Sequence, residues 1–459
     1  MQQVKEITLN GLLAVLVVLS IVLSYRVWFP SDQGALWQTK EAQVQSSPPP
    51  ADLVATPKLH RPERIYVHKA EGMMALLPAG SDAYEDVLEG VDRVLTGLQP
   101  MTGLVPPEEE VDRNGDAITL VLPIPLMLDQ WAQLWKWQAG GLTNFSLKVD
   151  RLTIYLAKTP MIYFSGATGP VYRVGPLAPV DQKLLQGLVA AVEPSRFQKY
   201  RPLVWKETTA KVAAGLVVPD VTDMPEGTLT LKRPDPVVEQ ARYFPDLSVV
   251  RHIEEKDAIS YTDGQRWLRL TAGGQTEFAT VAQGAPPDMK QSLGAADPWV
   301  LTHGGWLQDL VLTDWVQQPV RSSLVFNLRL DGGAYPVESA GPSDSTPGAM
   351  RLELTINRDQ VVTVTQFRRY PEFTLQFGRR GRIPVMAPEK ALQIAAAEHL
   401  SILMFEGEVR EMHLAYLLWQ RDKLSTWRLE PVWVINIGEK RIYVPAAPLT
   451  DMKSFIAGA

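Results

Sequence analysis

The chain has 459 residues, 45 basic against 51 acidic side chains for a net charge of −6, 46% hydrophobic residues and no cysteine. That length suggests about three domains, the charge balance argues against a nucleic-acid face, and the missing cysteine excludes disulfides, a thiolate metal site and a cysteine nucleophile. The 36 Pro and 32 Gly predict many turns and a strand-rich fold.

Residues 7–25 read ITLNGLLAVLVVLSIVLSY, with no charged side chain. As a helix this run is about 28 Å long, close to the hydrocarbon thickness of a bilayer. The preceding residues MQQVKE are not a strongly basic leader. The following Arg26-Val27-Trp28-Phe29-Pro30 lacks a small-x-small cleavage site. The expectation is therefore an uncleaved signal-anchor, with Tyr25, Trp28 and Trp37 at the interface. Lys5 on one side and Arg26 and Lys40 on the other leave the positive-inside count nearly tied. The short tail favours a cytoplasmic N-terminus. Residues 38–58 carry Pro48-Pro49-Pro50 and no apolar periodicity, which predicts a linker.

Ordered structure is expected to begin at the alternating run Arg64-Ile65-Tyr66-Val67-His68. Residues 81–98 have Ser81 or Asp82 as N-cap and place Val87, Val91, Val94, Leu95 and Leu98 at helical spacing. A strand over 117–122, a short helix over 127–137, consecutive strands across 146–175 and a helix over 180–192 follow. The next block has a short segment at 205–216, a strand at 228–232 and a turn or short helix at 244–249. Strands at 250–255, 258–261 and 267–270, the last two joined by an Asp263-Gly264 turn, read as a small antiparallel sheet. Residues 299–316 form a mixed apolar segment of helical character. Strands are predicted at 323–330, 350–357 and 360–367, a helix at 388–400, and strands at 411–421, 426–437 and 440–444. Pro431 inside the 426–437 run predicts an edge strand or a bulge.

Catalytic signatures are not found. The sequence lacks a Gly-x-Ser-x-Gly elbow, a P-loop and a dinucleotide-binding glycine pattern. His60, His68, His252, His303, His399 and His413 are not at metal-ligand spacing, so surface or hydrogen-bonded roles are expected. Asp112 to Asp116 begins like a calcium loop, but its Gly comes too early and no Glu closes it, so it reads as a turn. His303-Gly304-Gly305-Trp306 reads as a tight turn packed by Trp306 rather than an oxyanion hole. Glu254 and Glu255 are adjacent on a strand and face opposite sides.

The span itself is more informative. At about 100° per residue, Asn10, Ala14, Ser20 and Ser24 share an arc of about 120°, with Leu13, Val17 and Ile21 interspersed. Small residues permit close helix approach in lipid, and Ser or Asn can hydrogen-bond across helices. The competing reading is that these polar groups satisfy themselves on their own backbone.

Four stretches together resemble the YycH family. They are LAVLVVLSIVLSYRVW near the start, FPDLSVVRHIEEKDAISYTDGQRWLRL at 244–270, Gly304-Gly305-Trp306 with Phe326 and DGGAYPV at 331–337, and LEPVWVI at 429–435. The first two are the distinctive ones, and the match runs in order over essentially the whole chain. The terminal helix-then-strands unit also resembles the YycI family.

The resemblance implies an α+β protein: one N-terminal transmembrane helix followed by extracytoplasmic mixed α/β domains with antiparallel sheets. The expected organisation is a cytoplasmic tail (1–6), the transmembrane helix (7–27), a linker (28–58), an N-terminal α/β domain (59–199), a central β-rich domain (200–290) and a C-terminal α/β domain (291–459). The implied role is non-enzymatic and needs no cofactor or metal. It is the regulation of a WalK-like sensor histidine kinase, together with a YycI-like protein, at the cell membrane of a Gram-positive bacterium. The expected site is the transmembrane face of Asn10, Ala14, Ser20 and Ser24. Two rivals are a membrane-anchored wall hydrolase, for which no residue cluster is apparent, and an extracytoplasmic ligand-binding scaffold without a kinase link.

Overall fold

Alternating residues build two large, mainly antiparallel sheets. The computed structural model describes residues 61–447 and 455–457, apart from internal stretches of which the longest are 98–114, 135–147, 340–350, 368–373 and 420–425. All of these fall within one compact unit, Pro49–Ala459.

The first sheet contains β1 (Arg64–His68), β2 (Met74–Leu77), β3 (Ala117–Met127), β4 (Lys148–Tyr155), β5 (Met161–Ser165), β6 (Tyr172–Val174), β7 (Gln198–Pro202) and β8 (Val217–Pro219). Their order is β6-β5-β4-β3-β1-β2-β7-β8, and every pair is antiparallel. Strand side chains alternate between faces. Ile65, Val67, Ile118, Leu120, Leu152, Ile154, Ile162 and Phe164 therefore share one fully buried face. They form one cluster with Tyr84, Val87 and Val91 of α1 (Asp82–Gly97), Leu128 and Trp131 of α2 (Leu128–Leu134), and Leu185 and Val189 of α3 (Pro179–Ala191). Ser81 caps α1, its Oγ accepting from Tyr84 N at 3.2 Å. Gly90 lets α3 lie close, since a Cβ there would collide with Leu188.

The second sheet runs through β9 (Asp223–Thr230), β10 (Arg251–Glu254), β11 (Ala258–Thr262), β12 (Arg266–Thr271), β13 (Gln275–Thr280), β14 (Leu310–Gln317), β15 (Ser322–Leu330) and β16 (Tyr335–Ser339). It continues with β17 (Arg351–Asn357), β18 (Gln360–Phe367), β19 (Thr374–Pro384), β20 (Val409–Trp419), β21 (Thr426–Ile437), β22 (Lys440–Pro445) and β23 (Phe455–Ala457). The main path is β10-β11-β12-β13-β18-β17-β15-β16-β20-β21-β22-β23, with β14 on β15 and β9 between β19 and β21. Among these strands β16 and β20 pair in parallel. The helices on this sheet are α4 (Pro236–Tyr243), α5 (Met289–Thr302), α6 (Pro388–Glu398) and α7 (Leu400–Phe405). Asp288 and Gln291 start α5 with a reciprocal capping box.

The α+β class with antiparallel sheets is therefore observed, and several local readings need correction. The three strands of 250–271 are not a small separate sheet: β13 continues them and pairs with β18. The apolar segment 299–316 is the end of α5, a turn with Gly305 at φ 78°, and then β14. Helix α4 was not foreseen, although Asp235 before Pro236 is its signal: Asp235 Oδ1 accepts from Val237 N at 2.9 Å. Strand β3 does not stop at residue 122 but continues past Pro123 and Pro125, where its register against β4 shifts between Val121 and Leu126.

Pro431 is on neither an edge strand nor a bulge. Strand β21 is interior, bounded by β20 on one side. On the other side its partner changes from β9, which pairs through Leu429, to β22, which pairs from Val432. The Pro431 carbonyl accepts from Ala446 N at 2.9 Å on that second side. A backbone N–H there would point the same way, so the missing donor falls in the gap between the two partners.

Trp306 is fully buried, stands 5.0 Å from Phe326 of β15 and donates from Nε1 to Asp297 Oδ1 of α5 at 2.9 Å. Trp306→Ala is expected to cost about 3–5 kcal/mol by opening a cavity, measured as a shift in the urea midpoint of the full chain in detergent.

Candidate functional site

The expected face of Asn10, Ala14, Ser20 and Ser24 lies outside the described residues, as does the run 7–25. No helix among the described residues is long and apolar enough to cross a membrane.

The prominent site within the described residues is a polar cavity of about 480 Å³ between the first sheet and the start of β20. It arises from alternation. While Ile65 and Val67 face the helices, Arg64, Tyr66 and His68 face the other way. The register sets Thr119 of β3 opposite Tyr66, Thr153 of β4 opposite Thr119, and Tyr163 of β5 opposite Thr153. One face of the sheet is therefore apolar and the other presents hydroxyls, an imidazole and guanidinium groups. The far wall is supplied by Ala213, Leu216 and Val217 and by Arg410, Glu411 and Met412.

One end of the cavity is closed by a lattice of charges. Arg64 Nη2 lies 2.6 Å from Glu411 Oε1 and 3.1 Å from Glu63 Oε1. Glu63 also accepts from Arg329 of β15. Asn436 Nδ2 of β21 donates to Glu411 Oε2 at 2.7 Å, and His413 Nδ1 stands 3.3 Å from Glu411 Oε1. Glu411 and His413 are two apart on a strand and share a face, a carboxylate–histidine pair that the sequence reading did not anticipate. Burial alone would raise the Glu411 carboxyl; the charge of Arg64, then that of His413, outweighs it and holds the group well below the usual carboxylate range. Burial works against the Arg64 guanidinium, yet Tyr66, Glu63 and Glu411 push it further up. Tyr66 and Tyr200 meet edge to face at 4.9 Å, and burial lifts the Tyr200 hydroxyl well above its ordinary value.

The middle of the cavity is a chain of hydroxyls. His68 Nε2 and Thr119 Oγ1 are 3.2 Å apart, as are Thr119 Oγ1 and Thr153 Oγ1. Burial first, and the Arg151 charge second, lower the His68 pKa from 6.5 to about 4. The imidazole is therefore neutral at physiological pH. Among the described residues no group of three His, Asp or Glu side chains is placed to hold a metal ion.

Among the described residues the other histidines and loops have structural partners, and His60 lies outside the described residues. His303 stacks on Trp299 at 3.9 Å and His252 on Tyr261 at 5.3 Å. Asp116 accepts from Ala70 N at 2.9 Å, while 112–114 lie outside the described residues. The cavity residues were not singled out from sequence. Their signal was the polar alternate positions of the run 64–68, which look like a solvated face until the second sheet covers them.

The architecture, two antiparallel-rich sheets with helices on their apolar faces, defines an α+β fold of the YycH type. Among solved structures, YycH from Bacillus subtilis superposes with a TM-score of 0.57 at 14% identity, covering 86% of this chain and 98% of that chain. The resemblance read from the sequence and the fold thus agree. The C-terminal domain of YpeB from Bacillus megaterium overlaps 50% of this chain and 100% of that chain at 11% identity, with a TM-score of 0.28, too low to carry an argument. No protein-family model matches the sequence, and no curated protein matches it.

Two outcomes follow from the site. Glu63→Gln removes a buried carboxylate charge shared by Arg64 and Arg329 and should destabilise the chain by about 3–5 kcal/mol, read from denaturant midpoints. His68 is neutral when folded, so the unfolded chain binds the extra proton below 6.5. Its contribution is complete above pH 6.5 and is lost as pH falls toward about 4. His68→Gln should therefore flatten the fall in thermal midpoint between about pH 7 and about pH 5 relative to the unsubstituted chain.

Proposed function

We propose that this chain is a non-enzymatic regulator of a WalK-like membrane sensor histidine kinase, acting with a YycI-like protein. The observation that carries the reading is the shared fold with YycH across 86% of this chain, joined to the residue matches at 1–30 and 244–270. In this reading residues 7–25 form the single anchor, the N-terminus is cytoplasmic and the described domains are extracytoplasmic.

The physical requirement is simple. A kinase with two signalling states is biased only by something that binds them differently. A face of Asn10, Ala14, Ser20 and Ser24 that packs against kinase spans in one state supplies such a difference. A preference of about 1.4 kcal/mol changes the ratio of states tenfold. The outer domains then gate the packing through their own contacts. A second reading, an extracytoplasmic ligand-binding scaffold without a kinase link, draws support from the polar cavity.

Phosphorylation of the cognate response regulator in cells separates them. Three strains are compared: unaltered, deleted for this chain, and carrying the chain with a foreign span. Deletion is expected to change phosphorylation, and the chimera is expected not to restore it. Full restoration by the chimera assigns signalling to the outer domains and leaves 7–25 as a tether. No change on deletion rejects the kinase reading and favours the scaffold.

A further inference from the structure

The two ends of the cavity differ in how their polar side chains are paired with one another. At the β1/β20 end every charge is engaged: Arg64 with Glu63 and Glu411, and Glu63 with Arg329. Arg410 pairs with Glu408 at 3.4 Å, and the carboxylate of Asp150, which precedes Arg151 in β4 and also lines the cavity, is already engaged. At the β4/β5 end the polar side chains are exposed or half-buried, open to a ligand as to water. Arg151 and Ser165 are direct cross-strand partners, and Thr153 and Tyr163 are the next pair on the same face. Among the described residues, the Arg151 guanidinium and the Ser165 and Tyr163 hydroxyls have no hydrogen-bond partner. Thr153 spends one contact on Thr119 and retains capacity, since a hydroxyl offers one donor and two acceptor positions. Tyr155 and Tyr163 stand edge to face at 5.3 Å beside this group, so one ring presents its flat side and the other its rim.

We infer that the β4/β5 end of the cavity is a binding site for a small anionic sugar, its phosphate or carboxylate on Arg151 and its ring hydroxyls on Thr153, Tyr163 and Ser165. Four observations select this class. Planar guanidinium groups recognise oxyanions through paired N–H donors. The neighbours of Arg151 are hydroxyls, which match a polyhydroxylated ring by donating and accepting. Strands β4 and β5 are each paired on both sides, so at this end an extended peptide cannot add as a strand. The cavity as a whole, about 480 Å³, lies in the range of small-molecule sites. His68, neutral near pH 7, adds no charge, so the cation that meets the ligand at this end is Arg151.

Isothermal titration calorimetry on the full chain in detergent micelles tests the site with glucose 6-phosphate, glucuronate, glucose and inorganic phosphate. At least one of the two anionic sugars should bind with a Kd of about 1 mM or tighter, and glucose and phosphate alone at least tenfold more weakly. Which anionic sugar binds distinguishes a phosphate from a carboxylate source. Arg151→Gln should reduce the anionic sugar to the level of glucose, Arg151→Lys should retain part of the affinity, and Tyr163→Phe should weaken binding several-fold. Arg151 is exposed and unpaired, so its variants should keep the thermal midpoint of the unsubstituted chain. Three results overturn the site: neither anionic sugar binds, Arg151→Gln binds as the unsubstituted chain does, or inorganic phosphate binds as tightly as the sugar phosphate. The measurement is independent of the kinase reading. A chain that binds the sugar but whose deletion leaves response-regulator phosphorylation unchanged keeps this site and loses that role.

Discussion

The contact on which the arrangement of the two sheets rests is the charge lattice around Arg64. It draws on four distant parts of the chain: Glu63 and Arg64 beside and within β1, Arg329 in β15, Glu411 in β20 and Asn436 in β21. Desolvating such groups is expensive, and a buried pair repays the cost only when geometry and extra hydrogen bonds are good. Here Glu411 collects Arg64, Asn436 and the nearby His413, so its oxygens are well occupied. The lattice adds directional contacts to those of the apolar core, and these are made in one register. A second tie has the same character. Arg201 of β7 holds Glu389 at the start of α6 in a two-pronged contact of 2.7 and 2.9 Å. These ties hold the first sheet at a fixed place against the second.

The sequence made the local elements legible wherever period and cap agreed. Strand β1 is visible because Ile65 and Val67 alternate with Arg64, Tyr66 and His68. Helix α1 is visible because Ser81 precedes Val87, Val91, Val94 and Leu95 at one face. Where the period changes inside one apolar run, the reading failed: Met289 to Gln317 holds a helix, a turn at Gly305 and a strand, and only the left-handed glycine marks the change. Strand β13 was hidden because its inward positions include Thr276, which is fully buried but polar.

Long-range pairing was not legible, and the reason is physical. No local property of Asp223–Thr230 says that it will sit between β19 and β21, strands about 150 to 200 residues further along. Pro431 shows the same limit from the other side. A proline in a strand demands an unpaired direction, and an edge is the simplest supply; a change of partner from β9 to β22 meets the demand equally well in the sheet interior. The cavity was missed for a related cause. Polar alternate positions imply a wet face, and only the second sheet turns that face into an enclosed one.

The cavity lies at the joint itself. Its floor belongs to β1, β3, β4 and β5, and its far wall includes Arg410, Glu411 and Met412 of β20. Glu411 is both a member of the lattice and a cavity residue, with 35% of its side chain still exposed. Tyr66 joins the two functions in the same way, touching Arg64 at 3.3 Å and facing the cavity beside Thr119. A molecule held on the β4/β5 floor therefore sits in the space whose other end fixes the placement of the sheets. The joint and the cavity are built from one face of the same strand, Arg64–His68, whose apolar face holds the core while its polar side chains close the joint and line the cavity.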